Sequence, residues 1–216
     1  MSDLILEFRN IFKTFGMGKT KIDALNNVNF KVESKSLNLI IGSSGSGKST
    51  LLNLASLIDT PTKGELLIKD MNINRLSDSE KSRIRRDNIG IMYQRDNLFP
   101  YLNILENVMV PQIGDDKIKT VKLLKMVGLD ELNKFPDEIS VMDQQRVAFV
   151  RALINNPGLL LADEPTGELN SEDGEELLNL IREFGGKCSV LIASNNSDLS
   201  EFCDNIFFLK DGVLTK

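Results

Sequence analysis

The run Gly42-Ser43-Ser44-Gly45-Ser46-Gly47-Lys48-Ser49-Thr50 constrains the fold of this chain more than any other stretch. A glycine, four residues, then Gly-Lys-Ser is the pattern of a phosphate-cradling loop. Its glycines let the backbone curl until successive N–H groups converge on one anion. Lys48 supplies a positive charge for the β- and γ-phosphates, and the Ser49 hydroxyl is a ligand for Mg²⁺. Such a loop works only between a buried strand and a helix N-terminus, where orphan N–H groups and the macrodipole favour negative charge. Both neighbours are legible. Leu37, Leu39, Ile40 and Ile41 read as the strand, and Leu51, Leu52, Leu54, Ala55 and Ile58 repeat at helical spacing. A flexible Gly/Ser linker would not be clamped between two such apolar segments, so the run is read as a nucleotide site.

The 216 residues suit one large domain or two coupled lobes. With 41% hydrophobic and 26% charged residues the composition is that of a globular protein, which excludes a disordered chain. A net charge of −5 argues against a nucleic-acid partner. Lys81, Arg83, Arg85 and Arg86 read as a solvated helix face. Cys188 and Cys203 are too far apart for a Cys-x-x-Cys motif and read as buried thiols in a reducing compartment. No apolar run approaches the length that crosses a bilayer, and Met1 opens onto a strand-like pattern, not a signal peptide. The chain is therefore expected in the cytoplasm, with any membrane role coming through a partner.

Strands are expected over 4–8, 24–32, 37–41, 65–69, 89–93, 159–162, 189–193 and 206–209. Helices are expected after the loop, over 77–86 behind the capping sequence Ser77-Asp78-Ser79-Glu80, over 146–154 and over 172–184. From Ile104 to Asn133 the period is helical and amphipathic, which predicts a helical lobe over 95–154 inserted into a nucleotide-binding lobe over 1–94 and 155–216. Alternating strands and helices around a phosphate loop predict an α/β fold of the P-loop type, with a mixed sheet and ligands at the carboxyl ends of its strands.

Asp163 and Glu164 follow the apolar strand Leu159-Leu160-Leu161-Ala162 directly. A carboxylate pair at the end of a buried strand, in a chain with a phosphate loop, divides its labour: Asp163 for Mg²⁺, Glu164 as general base toward water. Gln94, at another strand end, is a third candidate for the metal or the water.

Across residues 6–210 these motifs fall in an order that resembles the ATPase subunits of ABC transporters. The resemblance is to the branch serving lipoprotein-releasing, macrolide-export and cell-division systems. It is carried by Gly42–Thr50, by Ile84-Arg85-Arg86-Asp87-Asn88-Ile89-Gly90, by Gln94 with Asn97-Leu98, and by Glu106-Asn107-Val108. Gln144-Gln145-Arg146-Val147-Ala148, Arg151-Ala152-Leu153, residues 161–167 and Leu209-Lys210-Asp211-Gly212 also fit. The resemblance implies a head-to-tail dimer with two ATP molecules between the subunits. Each ATP would lie on one phosphate loop and under the signature segment of the other subunit, whose Ser140 is retained here. It further implies that Phe15 stacks on adenine and that Gln94 reports nucleotide state to a membrane subunit. That subunit would dock on the region after Gln94 and on the helical lobe, placing the chain at the inner face of the cell membrane.

The chain departs from this family in four places. The signature Leu-Ser-Gly-Gly is here Ile139-Ser140-Val141-Met142, followed by Asp143, so side chains replace both glycines. Losing one well-placed anion donor costs about 2.7–4 kcal/mol in a transition state. Asn195 replaces the switch histidine, and it can donate a hydrogen bond but carry no charge. Asn170 replaces the aspartate expected to reach across the dimer, and Lys35 replaces a turn glycine. Asn195 would act on the chain's own ATP, and Val141 and Met142 on the partner's. The residues therefore support two readings. One is an ATPase subunit of a transporter or related envelope complex, moving membrane subunits as a homo- or heterodimer. The other is a hydrolytically weak, ATP-gated clamp.

Overall fold

The computed structural model describes residues 4–94, 97–185 and 187–216. Residues 1–3 of the first expected lobe and 95–96 after Gln94 lie outside the described residues. The chain builds two sheets. Strands β1 (Leu4–Phe15), β2 (Ile22–Glu33), β4 (Lys63–Ile68) and β5 (Met71–Asn72) form an antiparallel sheet in the order β2-β1-β4-β5. Strands β3 (Leu37–Ile41), β6 (Ile89–Met92), β7 (Leu159–Asp163), β8 (Ser189–Ser194), β9 (Asn205–Lys210) and β10 (Val213–Thr215) form the other, in the order β10-β9-β3-β8-β7-β6. This sheet is mixed as expected: β10 is antiparallel to β9, and the other pairs are parallel.

The central parallel strands β3, β7 and β8 are mostly apolar because both of their faces are covered. Successive side chains alternate between two cores. Leu39, Leu160, Ala162, Val190 and Ile192 meet the helices α3 (Ile104–Met109), α4 (Lys117–Met126), α5 (Val141–Leu153) and α6 (Ser171–Gly185). Ile40, Leu159, Leu161, Leu191 and Ala193 meet the antiparallel sheet and the helix α1 (Lys48–Ala55). The helix α2 (Asp78–Asn88) opens with the reciprocal Ser77/Glu80 capping box that its sequence predicts.

Several expectations are corrected. β1 continues past Phe8 to Phe15 through register shifts near Asn10, whose φ of 49° marks a bulge that breaks the alternation. The helical stretch from Ile104 to Asn133 is two helices, with Gly114 in the turn between them. Ile58 lies beyond α1 and is exposed. α5 starts at Val141, not Arg146, because Ser140 caps it. β10 was not expected. Lys81 is buried and Arg85 donates to the Leu57 carbonyl at 2.8 Å, so the basic residues of α2 are not all a solvated face. Cys188 is buried and Cys203 half-buried, and burial pushes each thiol up to about 11.

Candidate functional site

Strand register brings the expected site together. In the sheet Ile41 lies opposite Ser194, Asp163 opposite Ala193, and Met92 opposite Ala162. The four chain segments that leave β3, β8, β7 and β6 therefore begin at one edge. They carry Gly42–Thr50, Asn195, Asp163 with Glu164, and Gln94. Two hydrogen bonds fasten them: Gly42 N to Ser194 O at 3.1 Å and Glu164 N to Ala193 O at 2.8 Å.

A cavity of about 480 Å³ opens at this edge. Ser44, Gly45, Gly47, Lys48, Ser49, Thr50, Gln94, Asp163, Glu164 and Asn195 all line it. Gly47 has a φ of 107°, and a Cβ there would lie 2.5 Å from the Ala24 carbonyl, so only glycine fits. It is also the N-cap of α1, which has neither a capping side chain nor an acidic residue in its first turn. The first-turn N–H groups thus face the cavity with a favourable dipole. Ser46 is buried within the loop, and its Oγ is the one buried side-chain oxygen of the loop left without a partner among the described residues.

Lys48 is buried, and its Nζ donates to the carbonyls of Gly42 (2.8 Å) and Ser43 (3.2 Å). It also lies 3.3 Å from Glu164 Oε1. Burial raises the pKa of Asp163, opposed by a hydrogen bond from Ser49 and by the Lys48 charge; the neighbouring Glu164 raises it further. A hydroxyl and a carboxylate in contact are hard oxygen donors of the kind Mg²⁺ takes, with phosphates and water completing its shell. The cavity and this donor pair fit a nucleotide with its magnesium. Glu164 has a left-handed φ of 48°, a conformation that costs a non-glycine residue about 1–2 kcal/mol.

The other expected residues stand apart from the cavity. Phe15 is exposed at the end of β1, with one ring face 4.7 Å from Lys13 Nζ; its cross-strand neighbour Ile22 lines the cavity. Ser140 is exposed as the N-cap of α5, its Oγ accepting from Asp143 N at 3.1 Å and donating to Asp143 Oδ2 at 2.9 Å. Val141 is exposed, whereas the Met142 side chain is buried in the core, so only one of the two glycine replacements presents its side chain at the surface. Asn170 accepts from Asp173 N at 2.9 Å at the start of α6.

Sequence reasoning passed over Asp23, Ala24, Asp211 and Gly212 as lining residues. Gly212 N donates to Ser46 O at 3.0 Å, so the β9–β10 turn braces the phosphate loop. The Asp211-Gly212 pair, the commonest hairpin signal, was the available clue.

The family model described as ABC transporter matches residues 25–167. An uncharacterized ABC transporter ATP-binding protein of Methanocaldococcus jannaschii, MJ0796, is 41% identical over 98% of this chain and 96% of its own length. The lipoprotein-releasing system ATP-binding protein LolD of Wigglesworthia glossinidia brevipalpis is 39% identical over 99% of this chain and 97% of its own. Among solved structures, a dimeric post-hydrolysis state of the MJ0796 ATP-binding cassette bound to ADP and Pi superimposes with a TM-score of 0.88. It is 39% identical and covers 98% of each chain.

Proposed function

Because this chain belongs to the ABC transporter family, we propose that its loop amides and Lys48 grip the triphosphate of ATP while Glu164 activates the attacking water. The chain is an ABC-type ATPase, the ATP-binding subunit that couples nucleotide binding and hydrolysis to movement of membrane subunits. The observation that carries the assignment of residues is the meeting of Lys48, Ser49, Gln94, Asp163, Glu164 and Asn195 around one cavity.

Ser49 Oγ and the Asp163 carboxylate would hold Mg²⁺, which neutralises charge on the phosphate oxygens as the terminal phosphoryl group transfers. Gln94 and the Asn195 side chain orient the attacking water and the γ-phosphate. The exposed face of Phe15 takes the adenine, with Lys13 behind the ring. The nucleotide-binding lobe comprises 1–94 and 155–216, and the helical lobe 95–154.

A second ATPase subunit, identical or related, covers the nucleotide with the segment that begins at Ser140. The dimeric MJ0796 structure supports this reading. A groove of about 550 Å³ between the end of β6 and α3 has an apolar floor at Ile58, Ile91, Tyr93, Phe99 and Val110, with Arg85, Arg86 and Arg151 beside it. It suits a cytoplasmic segment of a membrane subunit, which would hold the chain at the inner face of the membrane. Among the described residues no helix is long and apolar enough to cross one. Turnover of ATP by the chain assembled with its membrane subunits tests the assignment: Glu164→Gln is expected to lower it by about a hundredfold or more, and undiminished turnover would refute the role of Glu164.

A further inference from the structure

The two oxygens of the Glu164 carboxylate have different neighbours. Ser194, the last residue of β8, is 1% exposed and donates from Oγ to Glu164 Oε2 at 2.8 Å. The same Oγ accepts from Asn196 N at 3.1 Å. With that amide N–H pointed at a lone pair of the hydroxyl, its proton is directed onto the carboxylate. The Asn195 backbone N–H also donates to Oε2, at 3.1 Å. Oε1, by contrast, has Lys48 as its one polar partner among the described residues, at 3.3 Å. The carboxylate is thus clamped through one oxygen by the end of β8, and presents the other toward Lys48 and the cavity.

We propose that Ser194 is a positioning residue that fixes the Glu164 carboxylate through Oε2, so that Oε1 is the oxygen that takes the proton of the attacking water. The inference rests on Glu164 being the general base. When phosphate oxygens draw Lys48 away from Glu164, Oε1 becomes free to accept a hydrogen bond, while Oε2 stays held by its two donors. In the step itself the water oxygen bonds to the γ-phosphorus and the bond from that phosphorus to the β–γ bridging oxygen breaks. ADP leaves with the electron pair, and the water proton passes to Oε1. The clamp uses the backbone of Asn195, not its side chain. It is therefore untouched by the replacement of a histidine at that position, which explains how a site without any histidine still holds its base.

The test is steady-state ATP turnover and nucleotide affinity of the full chain carrying Ser194→Ala, Ser194→Cys or Ser194→Thr, with Glu164→Gln in parallel. Loss of a hydrogen bond to a charged group predicts that the Ala and Cys variants lose roughly tenfold or more in kcat. Dissociation constants for ATP should stay within about twofold, the split expected when only the reacting geometry is disturbed. Ser194→Thr, which keeps the hydroxyl, should restore most of the rate. Wild-type kcat in the Cys variant, or a Thr variant as slow as Cys, would overturn the proposal, and these two variants decide it even where Ala fails to fold. A parallel loss of affinity and rate in Cys that Thr does not repair would also overturn it. If Glu164→Gln keeps full activity, the base assignment itself fails; if that variant is inactive while Ser194→Cys is normal, only the clamp fails.

Discussion

The Lys48 ammonium lies 3.3 Å from Glu164 Oε1, with both side chains largely buried (8% and 12% exposed). The residue proposed to grip phosphate and the residue proposed to activate water therefore hold each other until an anion comes between them. Low-dielectric surroundings strengthen the contact, but both groups keep other partners: two carbonyls for Lys48, and Ser194 Oγ and Asn195 N for Glu164. Neutralising Glu164 should for that reason leave the fold and the loop intact. Glu164→Gln is expected to lower kcat by roughly a hundred- to ten-thousand-fold. Nucleotide binding, followed by fluorescence of a labelled ATP, should persist.

The two side chains that replace signature glycines are not equivalent. Met142 is buried in the core beside Gln145 and Phe149, which follow it at helical spacing, whereas Val141 is exposed at the first position of α5. Met142→Ala should destabilise the chain by about 2–5 kcal/mol through the cavity it leaves. Val141→Gly should change stability by no more than about 0.5 kcal/mol, the difference in helix propensity. Urea unfolding of the two variants checks this, and equal losses would contradict it.

Lys35 occupies the turn between β2 and β3 with a φ of 60° and an exposed side chain. Its amide donates to Ser189 Oγ at 3.0 Å, a contact any residue can keep. Lys35→Gly removes the left-handed strain and should gain about 0.5–1 kcal/mol after the entropy of the freer unfolded chain is counted. For a chain of this length that is a rise in melting temperature of about 1–4 °C. Calorimetry reads it directly.

Much of this was legible in the sequence, for identifiable reasons. The phosphate loop announces itself because its function demands particular residues at fixed spacing, and the runs flanking it have clear periods. The Ser77/Glu80 box fixed the start of α2 because a capping box is local chemistry. What stayed hidden depends on contacts between distant segments. The burial of Met142 follows from the phase of α5 against the sheet, which is set once Ser140 caps that helix. The bulge at Asn10 interrupts the alternation that would have carried β1 to Phe15. The clamp of Ser194 on Glu164 exists only through the register of β7 with β8, which no local pattern encodes.

Whether Gly42–Thr50 and Lys48 hold the phosphates of ATP is read from the melting temperature of the chain with and without ATP and Mg²⁺. Ligand at a hundred times its dissociation constant stabilises the folded state by about 2.7 kcal/mol, a rise of roughly 5–11 °C here. That rise is expected in the wild type and is lost in Lys48→Ala, each compared with its own nucleotide-free protein. No rise in the wild type, or an undiminished rise without Lys48, would contradict it.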